Sequence, residues 1–254
     1  MKLRFLGTGT SQGIPIIGSK HPVCLSSDPK DKRMRAAVMI TTDTLQVVID
    51  CGQDFRMQML NANVMHLDAL LFTHEHADHT AGLDDIRQFT IRKGALPIYA
   101  HQRVLKNLEK RYDYIFDDAI IYKGKPRIQK NEVTNHPFQI NGQEIIPIDM
   151  MHGPNLQVFG YRIDDIAYLT DVSYISDKEK EKLKNLKVLV VDALRIDPHP
   201  THFNLEQALD LVTELKPERT YFTHISHKLG FHAEVQNKLP KNVFLSYDGL
   251  VVNI

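Results

Sequence analysis

The segment His74-Glu75-His76-Ala77-Asp78-His79 sets out donor side chains in the order His-x-His-x-Asp-His, and it constrains the fold more than any other part of the chain. It follows Asp68-Ala69-Leu70-Leu71-Phe72-Thr73, an apolar run with the length of a buried strand. It precedes Ala81 to Phe89, which reads as a helix. A metal centre needs nitrogen and oxygen donors on a rigid element that ends at a cleft, and a strand running into a tight turn supplies them. If the strand period persists, His74 and His76 point the same way and reach one ion, while Asp78 and His79 face a second. The competing reading is a solvated, His-rich turn. That turn would set adjacent imidazoles against one another when protonated, a conflict that a metal removes.

Short apolar runs alternate with amphipathic stretches along the rest of the chain. Strands are expected at Lys2–Leu6, Ala36–Thr41, Gln46–Asp50, Asp68–Phe72 and Ile98–Ala100, then at Gln143–Asp149, Val158–Ile163, Ile166–Thr170, Val188–Asp192, Arg219–Thr223 and Val243–Ser246. Helices are expected at Phe55–Leu60, Leu83–Ile91, Arg103–Lys110, Lys178–Leu186, Leu205–Leu215 and His232–Leu239, with Asn204 capping the fifth. No repeat, low-complexity tract or Gly/Ser linker divides the sequence. A single α/β domain over residues 1–254 is therefore expected, with residues 112–138, mixed in pattern and rich in charge, as an insertion over the site mouth. Strands with helices interspersed fit two packed sheets with helices outside.

Composition narrows the function classes. No apolar run reaches the length of a membrane span, and the first residues, Met1 to Gly7, read as a strand rather than a signal peptide. Two cysteines cannot form a disulfide framework, so a reducing cytoplasm is the simplest compartment. The net charge is +0, which leans against a long nucleic-acid partner. The stretch from Lys178 to Lys187 is basic, but it alternates with Glu179 and Glu181 and reads as a solvated helix face. Thirteen histidines are many for 254 residues, and a metal-ligand cluster accounts for the excess.

The His-x-His-x-Asp-His order resembles the metallo-β-lactamase superfamily. That resemblance implies an αββα sandwich, two mixed sheets flanked by helices with metals at one edge, and three further ligands at strand ends. The sequence carries candidates in order. Ile145 to Met151 leads to His152, Ile166 to Thr170 leads to Asp171, and Arg219 to Thr223 leads to His224. By the family pattern His74, His76 and His152 hold one ion, Asp78, His79 and His224 the other, and Asp171 bridges them. Two such ions would share a bridging hydroxide, a nucleophile at neutral pH. The donors suit zinc, manganese or iron alike. Glu75 reads equally as an orienting group behind the ligands or as an exposed side chain.

Two further segments sharpen the resemblance. The stretch Leu6-Gly7-Thr8-Gly9-Thr10-Ser11-Gln12-Gly13-Ile14-Pro15 is similar to the first turn of phosphodiesterases that open 5-phosphoribosyl 1,2-cyclic phosphate. Thr223 to His227 and Tyr247-Asp248-Gly249 agree with the same group. Where those enzymes carry Cys-x-Cys-x-x-Cys, this chain has Ser19, His21 and Cys24. A third, structural zinc on His21, Cys24 and His227 is therefore an expectation, against an ordinary loop with a small buried cysteine. His202, ahead of the helix from Leu205, resembles a histidine of the transfer-RNA 3′ processing enzymes and is the expected proton donor. Asp78 and His202 are the residues expected to act in catalysis.

The function so implied is a two-metal phosphodiesterase acting on a small cyclic phosphate or phosphodiester. A transfer-RNA 3′ endonuclease and a thioester hydrolase of the glyoxalase II type are the alternatives, and a metal-stabilised scaffold is the non-enzymatic one. No membrane partner is expected, nucleic acid is disfavoured, and a homodimer stays open.

Overall fold

A computed structural model of the chain describes residues 1–117, 119 and 124–254. Among the described residues two sheets stack face to face. The first holds β1 (Lys2–Gly7), β2 (Ala37–Thr41), β3 (Gln46–Ile49), β4 (Ala69–Leu71), β5 (Leu96–Ala100) and β6 (Ile128–Glu132). The second is built from β7 (Phe138–Ile140), β8 (Gln143–His152), β9 (Leu156–Ile163), β10 (Ile166–Leu169), β11 (Tyr174–Ile175), β12 (Val188–Asp192), β13 (Arg219–Thr223) and β14 (Val243–Leu245). The last strand, β15 (Val251–Asn253), returns to the first sheet beside β1. The orders are β15-β1-β2-β3-β4-β5-β6 and β11-β8-β9-β10-β12-β13-β14, with β7 beside β8. This is the αββα sandwich that the resemblance implies.

Side-chain alternation explains why the strands read as unbroken apolar runs. Ala69 and Leu71 face the other sheet, against residues such as Phe159, Tyr161 and Tyr168. Leu70 between them faces the outer layer, where Phe55, Met59, Leu83 and Val104 pack. In the second sheet Val188 and Val190 face inward, while Leu189 and Val191 meet Leu183, Ala208 and Leu211 outside. Strands buried on both faces lose the polar beat of a half-exposed strand.

Several elements depart from expectation. Within the stretch expected as an insertion, residues 128–132 form the edge strand β6, parallel to β5. Part of residues 112–138 lies outside the described residues. The turn after His76 is already helical over Ala77–Thr80, and a 3-10 turn over Leu83–Ile86 precedes the helix Arg87–Lys93, because the turn must bring Asp78 and His79 inward. The helix expected to end at Leu186 stops at Glu181. Its Glu179 is buried rather than solvated, accepting from the backbone N–H of Asp149 at 2.8 Å and from Asn135 at 2.9 Å. None of the described helices is long and apolar enough to cross a membrane.

Candidate functional site

The carboxyl ends of strands from both sheets meet at one edge, where open α/β sheets place their ligands. β4 runs into Thr73 and His74, β8 ends at His152, β10 runs into Asp171, β12 ends at Asp192 and β13 runs into His224. The loop after β4 is tied to the second sheet. Phe159 N–H donates to Thr73 O at 3.0 Å, and the buried Tyr161 hydroxyl donates to Phe72 O at 2.8 Å. Asp50, Asp171 and His224 adopt positive φ of 70°, 59° and 54°. Such backbone is costly for residues with a Cβ and persists where the surroundings enforce it. Gly52 is needed for a simpler reason: a Cβ there would lie 1.9 Å from Asp78 O.

The side chains converge. Donor atoms of His74, His76 and His152 lie within 4.8 Å of one another, as do those of Asp78, His79, Asp171 and His224. Asp171 stands between the groups. One of its oxygens is 3.2 Å from His79 Nε2, and the other lies 3.4 Å from His224 Nε2 and 3.9 Å from His152 Nε2. His202 joins from the loop after β12, its ring 4.6 Å from His152 and 4.8 Å from His224 between centroids. All seven residues expected as ligands thus meet at one edge, with His202 beside them.

Several ring nitrogens of the site make no hydrogen bond to the protein. His74 Nε2, His79 Nε2 and both ring nitrogens of His224 are buried without a hydrogen bond. The Nε2 atoms of His74, His79 and His224, buried and open beside the carboxylates, fit divalent ions: each would gain a bond it now lacks.

Charge in the metal-free site is unevenly held. Burial opposes a proton on His79, but the carboxylates of Asp171, Asp78 and Asp50 overcome it and raise its pKa well above the usual value. His224 is raised in the same way, with Asp171 the main opponent of burial. Burial alone would lift the Asp171 and Asp78 carboxyls, yet the neighbouring imidazoles His224 and His79 hold both well below the ordinary range. His74, buried and facing His79, is lowered. Burial also brings His202 down to about 4.

A ring of supporting groups stands behind the donors. The sequence reading missed two carboxylates, Asp50 and Asp192. Asp50 Oδ2 lies 2.7 Å from His79 Nδ1, and its carboxylate also accepts from Thr73 N–H and from the Thr73 hydroxyl. Asp192 Oδ2 lies 3.1 Å from His202 Nδ1. Burial, then the Asp171 charge, raise the Asp192 carboxyl well above its usual value. Their signal was a carboxylate closing an apolar run, as in Val47-Val48-Ile49-Asp50. The carbonyl of Thr201 holds His152 Nδ1 at 2.7 Å. Glu75, left open by the sequence, takes two hydrogen bonds from Arg103, at 2.8 and 3.1 Å, and its backbone carbonyl accepts from Arg111.

The candidate structural zinc ligands are only partly assembled. His21 and His227 pack edge to face, 4.7 Å between centroids, and His227 Nδ1 is buried without a partner. Cys24 does not complete a cluster of three donors with them; it sits in a small apolar group with Ile14 and Val23. His21 Nδ1 instead accepts from Val23 N–H at 3.3 Å, capping the short helix Pro22–Leu25.

Comparison with known proteins agrees with this geometry. A family profile described as the beta-lactamase superfamily domain matches residues 46–225. The crystal structure of a diphosphatase from the PhnP family is similar over 100% of this chain and 97% of its own, with 38% identity and a TM-score of 0.93. An octanoyltransferase of Porphyromonas gingivalis is 39% identical over 98% of this chain but only 51% of its own length. A ribonuclease Z of Methanosarcina acetivorans is 25% identical over 82% of the chain and 58% of its own. The chain therefore spans about half the length of these curated relatives.

Proposed function

The chain belongs to the metallo-β-lactamase superfamily, and from that membership we propose that it is a metal-dependent hydrolase of small phosphodiesters or cyclic phosphates. The observation that carries the reading is the placement of Asp171 between two clusters of donors. His74, His76 and His152 would hold one divalent ion, zinc or manganese, and Asp78, His79 and His224 a second, with Asp171 shared. Bound there, such a pair lowers the pKa of water towards neutrality and polarises a phosphoryl oxygen.

The chain's own residues do the rest. Asp50 fixes the His79 ring through Nδ1, and Thr201 fixes His152 in the same manner. Arg103 and Arg111 hold the Glu75 backbone and side chain, and with them the loop that carries His74 and His76. His202 turns Nδ1 to Asp192, leaving Nε2 for the reaction. The contact with Asp192 fixes the His202 ring, so that Nε2 is the atom presented to a departing oxygen.

Support for phosphorus chemistry comes from the PhnP-family diphosphatase, similar along the whole chain. Two observations favour other substrates. The octanoyltransferase relative suggests acyl thioesters, although half of that protein has no counterpart here. The ribonuclease Z relatives suggest transfer-RNA precursors, against which stands a net charge of +0. One set of assays separates the three. Metal-loaded protein should turn over bis(p-nitrophenyl) phosphate and a ribose cyclic phosphate, and chelator should abolish it. Cleavage of an octanoyl thioester or of precursor transfer RNA, with neither small phosphodiester touched, would replace this reading.

A further inference from the structure

We infer that His199 is a second substrate-facing imidazole, which binds an anionic group, such as a second phosphoryl, on the part of the substrate that leaves. The inference rests on the phosphodiesterase reading and specifies its substrate class. His199 and His202 lie three residues apart on the loop between β12 and the helix Leu205–Leu215, with ring centroids 5.1 Å apart. Each has its Nδ1 tethered. That of His202 faces Asp192. That of His199 accepts from Thr201 N–H at 3.3 Å and lies 3.1 Å from the Thr201 hydroxyl.

An Nδ1 that accepts from a backbone N–H has its lone pair committed, so the proton of the neutral ring sits on Nε2. Nε2 of His199 makes no hydrogen bond among the described residues, and the ring is only half-buried. The loop beneath it is rigid. Thr201 O holds His152, and the Thr201 methyl fills the space a Cβ on Gly153 would need, 2.8 Å away. A fixed N–H donor therefore stands next to the candidate proton donor, spaced so that one bound group can touch both rings.

The local charge selects an anion. Arg195, on the same loop, donates to the carbonyls of Asp197 and Pro198 and pairs with no carboxylate among the described residues. Its positive charge stays uncompensated beside His199. A simple aryl leaving group uses neither feature, whereas a second phosphoryl uses both.

The variant His199→Asn tests this. The asparagine oxygen can still accept from Thr201 N–H and keep the turn, but the outer N–H is gone. Inorganic phosphate and pyrophosphate binding to metal-loaded protein, measured by calorimetry, are the readouts. Pyrophosphate should bind about tenfold more weakly to the variant, the worth of one hydrogen bond to a charged group, while phosphate changes less than twofold. A diphosphate diester should show the loss in KM. Unchanged pyrophosphate binding, or equal weakening of both anions, would overturn the inference while leaving the phosphodiesterase reading intact. Wild-type protein that binds neither anion would overturn both.

Discussion

Asp171 touches donors of both clusters, so its removal should be felt in both. In Asp171→Ala metal content should fall below that of the wild type and phosphodiester turnover should be lost; unchanged stoichiometry and rate would sink its bridging place. Asp192 offers a sharper residue-level test, because it acts through His202 rather than on substrate. Positioned proton transfer contributes about 10²–10⁴-fold. Asp192→Asn should slow release of an alkoxide by about 10²-fold and release of p-nitrophenolate far less, since that anion barely needs a proton. Equal losses would mean that Asp192 only packs the loop. The donors themselves were legible because His-x-His-x-Asp-His is dense and ordered. Asp50 and Asp192 were not, since one aspartate after an apolar run resembles any strand end until its histidine partner is seen 29 or 10 residues away. Cys24 shows the reverse: spacing suggested a ligand, and apolar neighbours claim the side chain.

Elements were legible where burial forces a pattern. β4, β10, β12 and β13 carry apolar residues to both faces, so their runs stand out. β6, with sequence Ile-Gln-Lys-Asn-Glu and little burial, pairs through its backbone at the sheet edge and leaves no side-chain pattern to read. β11 and β15, two and three residues long, are too short for periodicity. The helix Leu205–Leu215 was legible from its start signal, and the capping box forms: Asn204 accepts from Gln207 N–H at 3.0 Å, and the Gln207 side chain accepts from Asn204 N–H at 3.0 Å. That cap lies two residues beyond His202, so it also sets where the loop ends. Asn204→Ala should destabilise the fold by about 1 kcal/mol, read as a lower urea midpoint at unchanged slope. A loss of activity beyond the loss of folded protein would show the cap holding His202 in place. An unchanged midpoint would mean that the helix end is satisfied otherwise.

At the scale of the molecule, two sheets and their outer helices build three apolar layers, and the clustered histidine and aspartate donors gather at one edge. Folding without metal leaves carboxylates and imidazoles to neutralise one another. Burial disfavours charge on His79 and His224, but the carboxylates, Asp171 foremost, raise both above the ordinary histidine value of 6.5. The raised values favour protons on nitrogens that an ion would need. Metal binding must displace them, which couples affinity to pH. The sign follows from the direction of the shifts. Raised pKa values keep the protons on as pH falls, so affinity should weaken on acidification and strengthen as pH rises above 6.5 through the raised values. Zinc or manganese added to chelator-stripped protein in weakly buffered solution at pH 7 should release protons, and the logarithm of the affinity should rise with pH. The loaded protein should also melt later, because a ligand that binds only the folded state at 100 times its Kd adds about 2.7 kcal/mol. Uptake without proton release, or a melting temperature indifferent to metal, would mean that the ions bind away from His79 and His224.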